Sequence, residues 1–224
     1  MATLPQRAQH LPVALLCCAL GTTLFGQPAR ALLTTNTAGF GNPVVSANFN
    51  PIPVNTTSQG PLTFLTPNNH EVIFTSNSPN AIINYTGSYG FPPNSNWNNQ
   101  PMAAIGDFTG FIDFTFKGFQ VKAAGGLLNY APSTPDLMTI SALDVNGAIL
   151  ETHNLTFTTS SGNQGATYYI QRPQADIATL RIAENFAALA YFTYDAPPVP
   201  GPLPLLGASI AFLHSRKLRK RIQG

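Results

Sequence analysis

The chain has 224 residues, of which 11 are Lys or Arg and 9 are Asp or Glu, so its formal net charge is +2. Seven of the eleven basic residues lie before residue 32 or after residue 198, which leaves four cations against nine acids in between. Residues 32–198 therefore carry a formal charge of about −5, which excludes a basic groove for nucleic acid. Both cysteines fall before residue 32, so the remaining sequence offers neither a disulfide nor a thiol.

The first 31 residues have the features of a secretory signal peptide. Arg7 begins a short positive region, residues 11–25 form an apolar run, and Ala29 and Ala31 are small residues at the two positions that a signal peptidase reads. We therefore predict a signal helix that is cleaved after Ala31. Two alternatives stay open: a lipoprotein signal that uses Cys17 or Cys18, and an N-terminal anchor that is retained.

Residues 32–198 have the composition of an all-β domain, because they are poor in charge and rich in Asn, Thr, Ser and Gly. The clearest predicted strand is 107–117, in which the apolar residues Phe108, Ile112, Phe114 and Phe116 share one parity and the polar residues share the other. The Asn146-Gly147 pair predicts a hairpin, because both residues accept positive φ, and Asp144 is expected to cap the turn.

The predicted strands of the domain are short and closely spaced. The hairpin strands are placed at 138–145 and 148–155, and the others at 71–75, 81–85, 120–124, 166–171, 177–183 and 188–194. Residues 42–69 are expected to begin with an edge strand and continue as a loop, and residues 90–101 to form a second long loop. This spacing predicts an antiparallel β-sandwich of the jelly-roll or lectin-like type.

Catalytic motifs are absent from the sequence. It has no nucleophile elbow and no glycine-rich phosphate loop. The histidines of this region, His70 and His153, are interpreted as a turn residue and a solvated strand residue. Asp107 and Asp113 would lie about 20 Å apart on one strand face, too far for glycoside hydrolysis. We predict a protein without catalytic residues, metal or cofactor; a glycan-acting enzyme is the third-ranked alternative.

An aromatic group is the best candidate for ligand binding. Trp97 lies in an Asn-rich loop shortly after Tyr89 and Phe91. A flat ring flanked by amide side chains suits a sugar ring, so these three residues could form a glycan platform. The alternative is that the same rings cover one end of the sandwich.

The last 26 residues join a Pro-rich turn, an apolar segment and a basic cluster. The turn is Val199-Pro200-Gly201-Pro202, and the cluster consists of Arg216, Lys217, Arg219, Lys220 and Arg221. Residues 203–214 give about 18 Å of helix against a hydrocarbon core of roughly 30 Å, and snorkelling of the first two cations extends that reach. We predict a short transmembrane helix with its basic end in the cytoplasm. The alternative is a basic amphipathic helix lying on an anionic surface.

The tail at 199–224 resembles the PEP-CTERM sorting signals of exported bacterial proteins, in particular the cyanobacterial form that reads Val-Pro-Gly-Pro-Leu-Pro. Gly201 stands where the namesake motif of that family carries Glu. The resemblance implies that a membrane protease of the exosortase type recognises residues 200–202 and removes the tail. The body also resembles the secreted β-sandwich domains that precede such signals, through Gly125–Pro132, Ile140–Asp144 with Asn146-Gly147 and Leu150-Glu151, and Ala175–Ile182.

The sequence thus predicts three parts: a signal peptide at 1–31, an exported domain at 32–198 and a sorting signal at 199–224. The expected function is that of a non-enzymatic protein of the cell surface or extracellular matrix, which is anchored in the membrane before processing. The alternative is a carbohydrate-binding module for extracellular polysaccharide.

Overall fold

The computed structural model describes residues 32–132 and 137–197. Within these ranges the chain forms sixteen β-strands and no helix, so the all-β prediction is confirmed. The strands are β1 (Leu32–Thr34), β2 (Pro43–Ser46), β3 (Thr56–Thr57), β4 (Leu62–Leu65), β5 (Glu71–Ser76), β6 (Ile82–Tyr85), β7 (Tyr89–Gly90), β8 (Asn96–Trp97), β9 (Met102–Ala104), β10 (Phe111–Phe116), β11 (Ala123–Asn129), β12 (Met138–Leu143), β13 (Ile149–Leu155), β14 (Ala166–Gln171), β15 (Thr179–Ala183) and β16 (Ala188–Asp195).

The strands form two large antiparallel sheets and one small ribbon. The first sheet has the order β1-β14-β11-β16-β9-β6-β3, with β2 also paired to β16. The second sheet has the order β13-β12-β15-β10-β5-β4, and β7 pairs only with β8. The predicted signal helix and membrane helix lie outside the described residues. In the part of the chain that the structure describes, no helix is long and apolar enough to cross a bilayer.

A single aromatic core joins the two large sheets. Phe114 of β10 stacks on Phe192 of β16 with ring centroids 5.0 Å apart, and Phe64 of β4 meets the same ring edge-on at 5.9 Å. All three side chains are fully buried. Burial of a phenylalanine side chain contributes about 1.5–3 kcal/mol, so each of these rings helps to hold the two sheets together.

The local predictions fit the structure best where a turn fixes the pairing. The predicted hairpin is formed by β12 and β13, with Met138 opposite Leu155, and Asp144 caps its turn by accepting hydrogen bonds from the backbone amides of residues 146 and 148 at 2.8 Å. Of the two turn residues, Gly147 has positive φ and Asn146 does not. The loops expected at 42–69 and 90–101 contain the short strands β3, β4 and β8.

The predicted strand at 107–117 begins later than expected. Gly110 has a φ of 122°, which ends the extended conformation, and β10 starts at Phe111. Phe108 is therefore not on the inward face of the strand, and 42% of its surface is exposed. Asp113, expected on the solvent face, is buried between neighbouring strands.

Both ends of the described chain leave from one end of the first sheet. The register runs from the outer strand β1 to the central strand β16. Leu32 of β1 lies opposite Gln171 of β14, Gln171 lies opposite Ala123 of β11, and the next residue, Ala124, lies opposite Tyr194 of β16. Leu32 and Asp195 thus lie in one row, three strand spacings or about 14 Å apart. We call this the terminal end. The opposite end, where β16 begins at Ala188, is about 23 Å away along the strand.

Candidate functional site

The residues predicted for export and sorting lie outside the described residues. They are the cleavage-site residues Ala29 and Ala31, the turn residues Val199, Pro200, Gly201 and Pro202, and the cations Arg216, Lys217, Arg219, Lys220 and Arg221.

The aromatic group around Trp97 is part of the interior. Trp97 and Phe91 are fully buried and touch edge-on with centroids 5.1 Å apart. The ribbon β7–β8 folds this segment back onto the first sheet, and the indole nitrogen donates to the Gln164 carbonyl oxygen. Because these two rings present no face to solvent, the predicted glycan platform is wrong for both. Tyr89 packs on Phe91, and its burial raises the pKa of its phenol to about 12, so the hydroxyl stays protonated at neutral pH.

The two histidines have structural partners. His70 lies just before β5, and its Nδ1 is 2.9 Å from the Tyr194 hydroxyl. His153 bonds to Glu151 on β13, and 27% of its side chain is exposed to solvent. Arg172, which follows β14, reaches Glu151 at 3.5 Å and ties the edge of the second sheet to the first. Within residues 32–132 and 137–197, no three His, Cys, Asp or Glu side chains are grouped to hold a metal ion.

The two aspartates expected on one strand face have separate surroundings. Asp113 on β10 accepts two hydrogen bonds from the Arg181 guanidinium on β15, each of 2.7 Å. Asp107 precedes Gly110 and lies in the loop before β10. It accepts hydrogen bonds from the Ser78 hydroxyl and, at 2.8 Å, from the Asn80 amide.

A cleft opens at the opposite end of the two sheets, between the loops that connect their strands. Its volume is about 510 Å³, and its lining includes Asn77, Ser78, Asp107, Phe111, Arg181 and Glu184. We call it the end cleft. Volumes of this size fall within the range of small-ligand sites, and the lining mixes carboxylate, amide, hydroxyl and guanidinium groups.

One wall of the end cleft is held by an unusual turn. Glu184, Asn185 and Phe186 follow one another with φ values of 72°, 53° and 55°, in the left-handed region that non-glycine residues rarely adopt. Their amides donate to the carbonyl oxygens of Gly110, Phe108 and Asp107 at 2.9, 2.7 and 2.9 Å. These three bonds fix the strained turn against the loop that carries Asp107. Such strain persists only where the surroundings over-determine it, and it clusters at functional sites.

The charges of the end cleft are predominantly negative. The hydrogen bonds from Ser78 and Asn80 lower the pKa of Asp107, so this carboxylate is ionised at neutral pH. The hydrogen bonds to Asp113 raise the pKa of Arg181, whose positive charge is thereby matched within the protein. The Glu184 carboxylate makes no hydrogen bond or ion pair with any other described residue. The carboxylates of Asp107 and Glu184 therefore line the cleft without an ion-pair partner among the described residues.

Sequence reasoning missed Glu184 and the cleft it lines. The only local signal is Asn185, since asparagine tolerates the left-handed region better than most residues. The contact between residues 107–110 and 184–186 joins segments far apart in sequence, and no spacing rule predicts it. Comparison of the chain with protein-family models, with curated proteins and with solved structures found no match.

Proposed function

We propose that this chain is an exported protein of the cell surface or extracellular matrix, without catalytic activity. In this proposal a signal peptide at 1–31 directs export, and residues 32–198 form a jelly-roll or lectin-like β-sandwich. The helix at 203–214 holds the protein in the membrane until an exosortase-type protease cuts at Pro200-Gly201-Pro202. The likeness to PEP-CTERM signals supports the last step.

The observation that carries the proposal is that the described residues begin and end at the same end of the first sheet, the terminal end. Leu32 and Asp195 lie in one row of the first sheet, at the terminal end. Segments that continue from these residues start about 14 Å apart, so both can reach the same membrane without disturbing the core. The positive residues after 215 would fix the orientation of the chain across the membrane, because such clusters remain on the cytoplasmic side.

The β-sandwich assignment rests on the way the two sheets meet. Rings from both sheets share one buried cluster, in which Phe114 and Phe192 stack directly. Two antiparallel sheets that bury their inner faces against each other are the arrangement expected of a sandwich.

The proposal is tested by mass spectrometry of the mature protein from its native host, combined with membrane fractionation. We expect an N-terminus at residue 32, a C-terminus near residue 200, and a membrane-bound precursor that retains the tail. A variant in which Arg216, Lys217, Arg219, Lys220 and Arg221 are all replaced by Gln should lose its fixed orientation, whereas the control Lys117→Gln with Lys122→Gln removes cations from the body and should be processed normally. A protein found in the cytoplasm with both ends intact would contradict the proposal.

A further inference from the structure

We propose that the end cleft binds an uncharged polysaccharide, with Asp107 and Glu184 accepting hydrogen bonds from sugar hydroxyls. The inference rests on the proposed function, since a protein delivered to the extracellular matrix meets polysaccharide there. It moves the carbohydrate site from Trp97, whose ring is buried, to the end cleft.

The polar groups of the end cleft match the chemistry of a hydroxyl, which both donates and accepts. Asp107 accepts one hydrogen bond at each oxygen from Ser78 and Asn80, and a carboxylate has about four acceptor positions. The Asn77 side-chain oxygen accepts from the Phe111 amide at 2.7 Å, which orients its NH₂ group as a donor. Acceptors and donors are thus placed on one wall of the same cleft.

The charge of the end cleft selects against an acidic ligand. Arg181 is committed to Asp113 through two hydrogen bonds of 2.7 Å, and its guanidinium lies 3.7 Å from the centre of the Phe111 ring. Asp107 and Glu184 would repel a carboxylate or sulfate group on a sugar. The lining is also too polar for a lipid chain, which leaves an uncharged polyhydroxyl ligand as the best match.

The Glu184 carboxylate is available to such a ligand, and its backbone is fixed in position. Its side chain lacks a partner among the described residues, while the backbone of its turn is fixed by hydrogen bonds to residues 107–110. On the same loop Phe108 is 42% exposed and packs edge-on against Phe186 at 6.3 Å. An exposed ring on the loop that carries Asp107 suits the apolar face of a sugar. The end cleft also points away from the terminal end, so a long polymer can cross it without meeting the membrane.

The test is affinity electrophoresis of the full-length protein, in mild detergent, through gels containing dextran, laminarin or starch, with alginate as the acidic comparison. We expect retardation by at least one neutral polymer and none by alginate. Glu184→Gln and Asp107→Asn should each weaken binding by about tenfold or more, because each removes a charged acceptor. The control Glu71→Gln removes a carboxylate at the start of β5, whereas the cleft lies beyond the end of that strand, so it should bind like the parent.

A second variant separates binding from folding. Glu184→Gly keeps the left-handed turn, relieves its strain and removes the carboxylate, so it should remain folded in circular dichroism and lose retardation. Absence of retardation in every neutral gel, or equal retardation of the parent and Glu184→Gln, would overturn the inference. Binding by a protein that is never exported would contradict only the proposed function, and export without binding only this inference. Release of reducing ends from a bound polymer would contradict the proposed lack of catalysis.

Discussion

At the scale of single residues, Asp113 has the environment that departs most from the sequence expectation. It alternates with apolar residues along β10 and so should face water, yet the second sheet places Arg181 of β15 directly opposite it. The two side chains then pair across the strands through two hydrogen bonds. A cross-strand partner at a register position is a property of the folded sheet, and sequence alternation alone does not specify it.

Removal of Asp113 should destabilise the protein markedly. Asp113→Ala leaves the Arg181 guanidinium, with 28% of its side chain exposed, without its carboxylate partner. We expect a loss of about 2–3 kcal/mol in the free energy of unfolding, less than for a fully buried pair because solvent still reaches the arginine. Urea denaturation measures this loss.

The matched control for Asp113→Ala is Glu71→Ala, which breaks the pair between Glu71 and Lys117. Both of these side chains are more than two-fifths exposed, at 42% and 57%. The change should cost less than about 1 kcal/mol. Equal losses for the two variants would show that the partly buried pair has no special role.

Ser78 should control the acidity of Asp107. The Ser78 hydroxyl is the main cause of the lowered pKa of Asp107, with Asn80 second. Because the folded-state pKa lies below the unfolded value, this carboxylate adds stability above about pH 4, and the contribution is lost as the pH falls through the folded-state pKa. Ser78→Ala should raise the pKa of Asp107 toward its ordinary value and lower stability at neutral pH more than in acid.

The pKa of Asp107 can be followed by NMR titration of its side-chain carboxyl carbon. Asp144 serves as an internal control, because its pKa is lowered by the backbone amides of Ala148 and Asn146. It should titrate identically in the parent and in Ser78→Ala. An unchanged Asp107 titration in the variant would rule out the Ser78 hydroxyl as the cause.

At the scale of elements, β11 illustrates what a sequence can and cannot predict. The sequence predicts a strand at 120–124, which ends just before Gly125-Gly126. The structure instead continues β11 from Ala123 to Asn129, with a register irregularity between Gly125 and Leu127 against β16. The glycines are needed because neighbouring strands approach closely on both sides, and that reason is visible only in three dimensions.

Substitution of Gly125 should disrupt the centre of the first sheet. An added Cβ would collide with the carbonyl oxygen of Tyr168 and lie 2.7 Å from the Cα of Tyr169, both on β14. Gly125→Ala should cost about 3 kcal/mol or more, because backbone atoms cannot move aside as a flexible side chain can. Thermal unfolding measures the effect. Gly41→Ala is the matched control: its nearest neighbour is 3.8 Å away, so its melting temperature should change little.

Local signals account for the elements that were predicted correctly. The hairpin β12–β13 is fixed by a short turn and by alternation on both sides, so every residue needed to specify it lies within 18 positions. The strands β5, β14 and β16 were likewise predicted from their own residues, without reference to a distant partner. By contrast, β9, with the sequence Met-Ala-Ala, has no strand pattern and is formed because β6 and β16 lie on either side of it. The end cleft was missed for the same reason, since its walls come from distant loops.

At the scale of the whole molecule, the positions of Leu32 and Asp195 predict how the body would be oriented if the protein is anchored in a membrane as proposed. If the tail is anchored as proposed, the terminal end faces the bilayer and the end cleft faces away. A fluorophore on Lys122→Cys, at the terminal end, should be quenched by spin-labelled lipid more strongly than one on Thr109→Cys. The two ends of the first sheet are about 23 Å apart along the strands, so the two dyes should differ by about that distance in their depth relative to the bilayer.

This depth measurement uses the full-length protein in vesicles, with Cys17→Ala and Cys18→Ala as the background. Dye on Thr109→Cys that is quenched as strongly as dye on Lys122→Cys would mean that the domain lies flat on the bilayer. That result would not contradict the proposed export. It would contradict the statement that the end cleft faces away from the membrane, on which the inference about polysaccharide draws.

The last strand of the body has the most central place in its sheet. β16 pairs with β11 on one side and with β9 and β2 on the other, so three neighbours depend on it. A growing polypeptide cannot assemble this sheet while residues 188–195 are still inside the ribosome, whatever its earlier strands do. The first sheet can therefore be completed only after residue 195 has been synthesised, which suits the proposed export of the chain in an unfolded state.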